Sequence, residues 1–334
     1  MSDEPLKVGL LGVGAIAQIV HLPVLATLDV EVVGVCDVAH GTARSIADRF
    51  GVRRVYASDD ELMNDADLQA VIICTPNYLH EQQAIQALNA GKHVLVERPL
   101  ALDADGAERV VATAEKHGRT LMVALNHRYR PDMLAVRPFV RNGELGDIYF
   151  ARAGWYHRKM PVKRQTWRHR KATSGGGALM DLGIQALDAC LWLLDYPPVE
   201  RVTAHAHPGA GMEVEDAATL LVRIAGGIIS TDVTWSMMAL RDRQSMRLLG
   251  TAGSATVGPL GVHKEMDLGL VDVTPHLTPE VENAYTASYR EQVRHFVAAA
   301  RGEASAELPR EQIQLMRLVR MAYESIDTGR EVRA

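Results

Sequence analysis

The hexapeptide Gly12-Val13-Gly14-Ala15-Ile16-Ala17 follows the apolar run KVGLL and opens an amphipathic stretch. Glycines at its first and third positions allow a tight turn and let a pyrophosphate approach main-chain amides at a helix start. Gly12, Gly14, Ala15 and Ile16 are therefore candidate dinucleotide contacts. Asp37 closes the next apolar run, about 25 residues after Gly12. A carboxylate there can accept from both ribose hydroxyls and repels a 2′-phosphate. No Lys or Arg follows it until Arg44, so NAD(H) is favoured over NADP(H).

Two further runs end in residues able to do chemistry. Thr75-Pro76-Asn77, with His80 one turn later, follows VIIC, and Glu97-Arg98-Pro99 follows HVLV. A proline after a strand prevents its continuation, which holds the preceding side chains at the strand end. Glu97-Arg98 reads equally as a solvated ion pair. Farther on, SGGGALMDLGIQALDA (residues 174–189) places Asp181, Gln185 and Asp188 at i, i+4 and i+7, on one face of an otherwise apolar helix. Two acids and an amide are costly to bury without partners, so this face must meet something polar. Residues 152–171 hold eight Lys or Arg and no Asp or Glu. That segment fits a solvated loop, a contact with an acidic neighbour, or a rim attracting an anionic substrate or the pyrophosphate. It is too short, with too few aromatics, for nucleic-acid binding.

These residues need elements to position them. Up to residue 125, β-branched and aliphatic runs alternate with helical patterns at 15–28, 41–50, 78–90 and 104–117. Near-continuous apolar strands between helices imply a parallel sheet covered on both faces. Asn77 and Asp103 are expected N-caps, and Gly91 and Gly118 expected helix ends. Beyond 125 the rhythm changes: a helix at roughly 178–194, then strands at 199–207, 214–224, 228–235, 245–250 and 254–257. Ala225-Gly226-Gly227 is a turn suited to antiparallel neighbours. Helices at about 285–300 and 309–327 close the chain.

Composition sets bounds. The 334 residues, 47% apolar and 23% charged, suffice for two globular cores. A net charge of −5 offers no general attraction to nucleic acid or anionic lipid. Cys36, Cys74 and Cys190 are widely spaced among apolar residues, giving neither a disulfide framework nor metal spacing. No run approaches a membrane span and no signal peptide is evident. A cytoplasmic protein is expected.

With these motifs in this order, the chain resembles the Gfo/Idh/MocA family of dinucleotide-dependent oxidoreductases. The resemblance rests on GVGAIA, TPNYLH, the ERP after the fifth strand and WRHRKATSGGGALMDLGIQALD, and extends to SYREQVRHFVAAARGE and YESIDTGREV. It implies a Rossmann domain, residues 1–125, and a C-terminal α/β domain, residues 126–334, with a largely antiparallel open sheet. The C-terminal helix is free to pack back on the first domain. Such sheets often form homodimer or homotetramer interfaces. The resemblance also implies hydride transfer between NAD and a hydroxyl or carbonyl carbon of a sugar, cyclitol or polyol, across a crevice walled by the Asp181 helix. Implied cofactor contacts are the glycine loop, Asp37, Thr75, Asn77, His80, Glu97, Arg98, Asn126, Trp167 and Arg168. Implied substrate contacts are Tyr156, His157, Arg168, Asp181 and Gln185, with Arg98, Asp181 and Gln185 at the chemistry.

Two positions depart from the family pattern: Arg98 stands where Lys is usual, and Gln185 where His is usual. The usual pair can exchange a proton, worth roughly 10²–10⁴-fold. A guanidinium and an amide can only position and stabilise charge. Tyr129, His127, His169, Tyr156, His157, Asp181 and water remain as proton carriers, and neighbouring Tyr156 and His157 cannot both face one side of a strand. Three readings stay open: a dehydrogenase, a lyase or glycosidase working through transient oxidation, and a dinucleotide-binding regulator without turnover.

Overall fold

The computed structural model describes residues 4–159, 165–267, 269–277 and 283–334. Lys163 and Arg164 of the basic segment lie outside them. The chain divides into two compact units, one holding the described residues through Asn126 with Tyr285–Ile313, the other His127–Ala284 with Gln314–Ala334.

The first unit is built on six strands, β1 (Leu6–Leu11), β2 (Val30–Cys36), β3 (Arg54–Val55), β4 (Ala70–Ile73), β5 (His93–Glu97) and β6 (Leu121–Ala124). All pair in parallel, in the order β3-β2-β1-β4-β5-β6. Leu10, Leu11, Val71, Ile72 and Ile73 are completely buried, as a sheet covered on both faces requires. The covering helices are α1 (Leu22–Leu25), α2 (His40–Phe50), α3 (Asp59–Met63), α4 (Asn77–Asn89) and α5 (Ala104–His117). The first helix is shorter than its sequence pattern and passes through a π turn, Ala17–His21, before α1. Asp103 caps α5 by accepting from the Gly106 amide, as expected. Asn77 does not cap α4; it is the first helical residue, and Pro76 holds the cap position. Strand order reverses between β1 and β4, and ligands of such sheets bind at the carboxyl ends of the strands beside that reversal.

The second unit carries a nine-stranded sheet. Its strands are β7 (Ile148–Arg158), β8 (Val199–Pro208), β9 (Glu215–Ile224), β10 (Gly227–Met237), β11 (Arg243–Gly250), β12 (Gly253–Val257), β13 (Gly261–Met266), β14 (Gly269–Asp272) and β15 (Val332–Arg333). They run in the order β14-β13-β12-β11-β7-β10-β9-β8-β15, and every pair is antiparallel except β7 with β10. Gly226, at φ +83°, makes the tight turn that pairs Gly227 with Ile224. Helices α6 (Pro131–Arg141), α7 (Lys171–Ser174) and α8 (Ile184–Leu193) belong to this unit; α9 (Ala284–Ala300) and α10 (Glu311–Thr328) close the chain. Every residue of α8 is buried, so this helix forms the centre of the unit's core.

Candidate functional site

In the first unit, Gly12 sits at φ +83°, and a Cβ there would press on the Cys74 carbonyl, so only glycine fits where the loop crosses β4. Gly14 has nothing within 4 Å of its missing Cβ, so this loop is open above its amides. Ala15 and Ile16 start the helical stretch that follows, and their N–H groups have no carbonyl partner within it. Asp37 braces the loop: Oδ2 accepts from the Val13 amide at 2.9 Å and Oδ1 from the Ala39 amide at 2.8 Å. Beside Asp37 opens a cleft of about 770 Å³, lined also by Val38, Asp59 and Asp60. Val38 is 94% exposed, an apolar side chain available to a flat base, while the three acids disfavour a 2′-phosphate. This loop, carboxylate and cleft fit NAD.

The other strand ends are more enclosed than their sequence suggests. Glu97 is not a solvated ion-pair member: it is buried, and its Oε1 meets His21 Nε2 at 2.8 Å. Burial alone lowers the basicity of His21, but the Cys74 thiol and the Glu97 carboxylate outweigh it and hold the imidazole at about 10. The His21 ring meets Tyr289 of α9 in a T-shaped contact, centroids 6.0 Å apart, which completes the enclosure. His80 is also buried, with Nδ1 on the Pro99 carbonyl at 2.7 Å and Nε2 on that of Thr75 at 2.8 Å. It therefore ties the two prolyl turns together and has no ring nitrogen left to offer a ligand. Thr75 donates to Gln83 Oε1, and buried Asn126 donates to Ser288 Oγ at 2.9 Å. Arg98 is partly exposed at the end of β5.

In the second unit the helix after the glycines is not a regular α-helix. Leu179–Gly183 form a π turn that runs into α8. A π turn holds an extra residue, so the even stack of Asp181, Gln185 and Asp188 is broken. Asp181 reaches a pocket of about 250 Å³, which His157, Arg168, His169, Asp216, Trp235 and Ser236 help to line. Trp235 Nε1 donates to its Oδ2 at 3.0 Å, and Arg168 Nη1 stands 3.8 Å from the same oxygen while its guanidinium lies over the Trp167 ring. Gln185 is buried, donates to the Asp181 main-chain carbonyl at 3.1 Å and is not among the pocket residues. Asp188 is fully buried on a different set of partners: Arg128 Nε at 2.8 Å, Arg128 Nη2 at 2.5 Å, His127 Nε2 at 2.8 Å and the Tyr196 hydroxyl. Burial opposes its ionisation, but Arg128 and then His127 dominate and hold the carboxyl far below its usual range. His127, a sequence candidate for proton exchange, is thus committed to this interior network.

The glycines before the π turn have a steric role. A Cβ on Gly176 would overlap the Tyr323 hydroxyl, and one on Gly177 the Glu215 main-chain carbonyl. Glu215 Oε1 accepts from the amides of Gly177 (2.9 Å) and Leu179 (3.0 Å) and from Tyr323 Oη (2.9 Å), so it caps the turn from the start of β9. His157 lines the pocket, whereas Tyr156 folds its ring over Gly154. No residue pattern marked Trp235, Ser236, Asp216 or Glu215 as site residues, beyond their places at or beside the ends of two expected strands.

Comparison with known proteins extends this picture. The family description "Oxidoreductase family, NAD-binding Rossmann fold" (Gfo/Idh/MocA) matches residues 6–125, and the Gfo/Idh/MocA C-terminal domain matches residues 133–256. The chain is 28% identical to D-glucoside 3-dehydrogenase of Escherichia coli K12, over 99% of this chain and 98% of that one. GenD2 from gentamicin A biosynthesis, solved in complex with NAD, superposes with a TM-score of 0.87 at 29% identity, covering 99% of this chain and 97% of that one. Levoglucosan dehydrogenase, solved with NADH and levoglucosan, shares the fold, with a TM-score of 0.89 at 22% identity and 99% coverage of each chain. Among the described residues, no helix is long and apolar enough to cross a membrane. The glycine loop braced by Asp37, the reversed strand order beside it and the two domain matches lead to one conclusion: the chain belongs to the Gfo/Idh/MocA family of NAD-binding oxidoreductases.

Proposed function

We propose that the protein is a dehydrogenase or reductase acting at a hydroxyl- or carbonyl-bearing carbon of a sugar, cyclitol or polyol derivative, neutral or anionic. Arg98, Asp181 and Gln185 are the residues assigned to the reacting group. The observation that carries this reading is the setting of Asp181: a carboxylate that lines a small pocket and is oriented by an indole N–H. Such a group accepts from a substrate hydroxyl and fixes the carbon that bears it. NAD, when bound, supplies the hydride acceptor or donor. The Arg98 guanidinium contributes fixed positive charge for an oxygen that gains negative charge, and does not itself give up a proton. Gln185 also donates to the Asp181 main-chain carbonyl and so helps to hold the turn that presents Asp181. The proton then passes through His157 or water at the pocket.

Pairing of the open nine-stranded sheet into a homodimer or homotetramer, and a cytoplasmic setting for the three free cysteines, belong to the same proposal. The test is nicotinamide absorbance with a panel of polyols and keto-sugars. Turnover with net change in NAD(H) supports the reading. Redox-neutral conversion with NAD retained favours the lyase, and NAD binding without turnover of any member favours the regulator.

A further inference from the structure

The pocket around Asp181 carries cations that the fold does not use. Arg158 and Lys159, at the end of β7, line it together with Arg168. The acids in the pocket are already engaged. Asp216 accepts from Ser236 Oγ at 2.7 Å and meets His207 Nδ1 at 2.9 Å, while Asp181 is held by Trp235 and faced by Arg168. Arg158 and Lys159 are bonded through their main-chain amides, to Asp242 Oδ1 and to the Met237 carbonyl, both at 2.8 Å. Their side chains form no ion pair among the described residues. Successive strand residues point to opposite faces, so two neighbours reach one pocket only because the strand ends there. The pocket lining thus offers a hydroxyl acceptor together with two cations that pair with no acid among the described residues.

We infer that the pocket selects a polyhydroxylated ring bearing an anionic group, a carboxylate or phosphate, with Arg158 and Lys159 receiving the anion and Asp181 a hydroxyl. The inference rests on the dehydrogenase reading only for the polyhydroxylated part of the ligand. The volume of about 250 Å³ lies at the small end for ligand sites and suits a single ring. Charge-assisted hydrogen bonds at such a rim predict discrimination of about tenfold or more over the neutral sugar, weakening with salt.

The experiment is calorimetric titration of the full chain, loaded with NADH, using paired probes: D-glucuronate and D-glucose, D-galacturonate and D-galactose, D-glucose 6-phosphate, and inorganic phosphate alone. At low ionic strength at least one anionic sugar is expected to bind about tenfold more tightly than its neutral partner. The Arg158→Gln/Lys159→Gln variant removes that advantage and leaves NADH affinity unchanged. The uronates and the phosphate ester separate the two kinds of anion. The inference is overturned if no anionic sugar outbinds its neutral partner, if the advantage survives in the double variant, or if inorganic phosphate binds as tightly as the sugars. Turnover of a neutral polyol with none of these preferences overturns this inference alone and leaves the dehydrogenase reading standing.

Discussion

The Trp235 indole donates to Asp181 Oδ2 across 3.0 Å, from the end of β10 to the π turn before α8. That bond fixes the carboxylate's rotation and directs its second oxygen. Replacing Trp235 with Phe keeps the ring packing and removes the donor. Hydrogen bonds to charged groups are worth about 1.5–3 kcal/mol, so kcat/KM for a turned-over polyol is expected to fall about tenfold or more. The dissociation constant for NADH, measured in parallel, stays unchanged; a shift of both together sinks this assignment.

Asp37→Ala removes the acceptor of the Val13 amide in the glycine loop and of the Ala39 amide before α2, as well as the ribose contact proposed here. The expected result is at least about a tenfold weaker NADH affinity by fluorescence titration, with a smaller gap between NADH and NADPH. An unaltered affinity removes Asp37 from the cofactor site.

The pair Gln185→His with Arg98→Lys restores groups able to exchange a proton. A several-fold rise in dehydrogenase rate is expected, within the roughly 10²–10⁴-fold range of general acid–base catalysis. If NAD binding is intact and the rate does not move, these two positions do not limit proton transfer.

The buried His21–Glu97 pair gives a pH signature. His21 is raised from 6.5 to about 10, so its contribution to stability is complete below about pH 6.5 and is lost as pH rises through about 10. Glu97 is lowered from 4.5, so its contribution is present above that value and fades as pH falls. Thermal unfolding of His21→Gln is expected to show its largest Tm deficit between about pH 4.5 and 6.5. The deficit narrows as pH rises from 6.5 and is lost above about pH 10. A deficit independent of pH contradicts the ion pair.

Gly177→Ala places a methyl group against the Glu215 carbonyl, which is main chain and cannot turn away. Overpacking of this kind costs about 1–3 kcal/mol. Because the same residues cap the π turn, denaturant unfolding is expected to show this loss together with weaker ligand binding at Asp181. Wild-type stability in the variant refutes the steric role of the glycine.

Much of the architecture was legible in the sequence. Strands 199–207, 214–224 and 245–250 lie within a few residues of β8, β9 and β11, because alternating burial leaves a two-residue period in the chain. The loop at Gly12 and the acid at Asp37 could be read because their spacing is set by one strand–helix–strand unit. Helix α6 and strands β13 and β14 escaped notice: α6 holds a proline and buries only Met133 and Val136, and the two strands are short and lie at one end of the sheet.

What the sequence alone determined is which segments bury apolar surface and where backbone must come close to a ligand, since both leave local marks in residue type. What only the tertiary structure decided is the fate of each polar side chain. Asp181, Gln185 and Asp188 looked equivalent along one helix face, yet one reaches a pocket, one bonds its own helix and one, fully buried, pairs with Arg128. His21 finds Glu97 across 76 residues, and Trp235 finds Asp181 across 54. A buried charge is stable only beside its partner, and residues so far apart in sequence become partners only when the chain has folded.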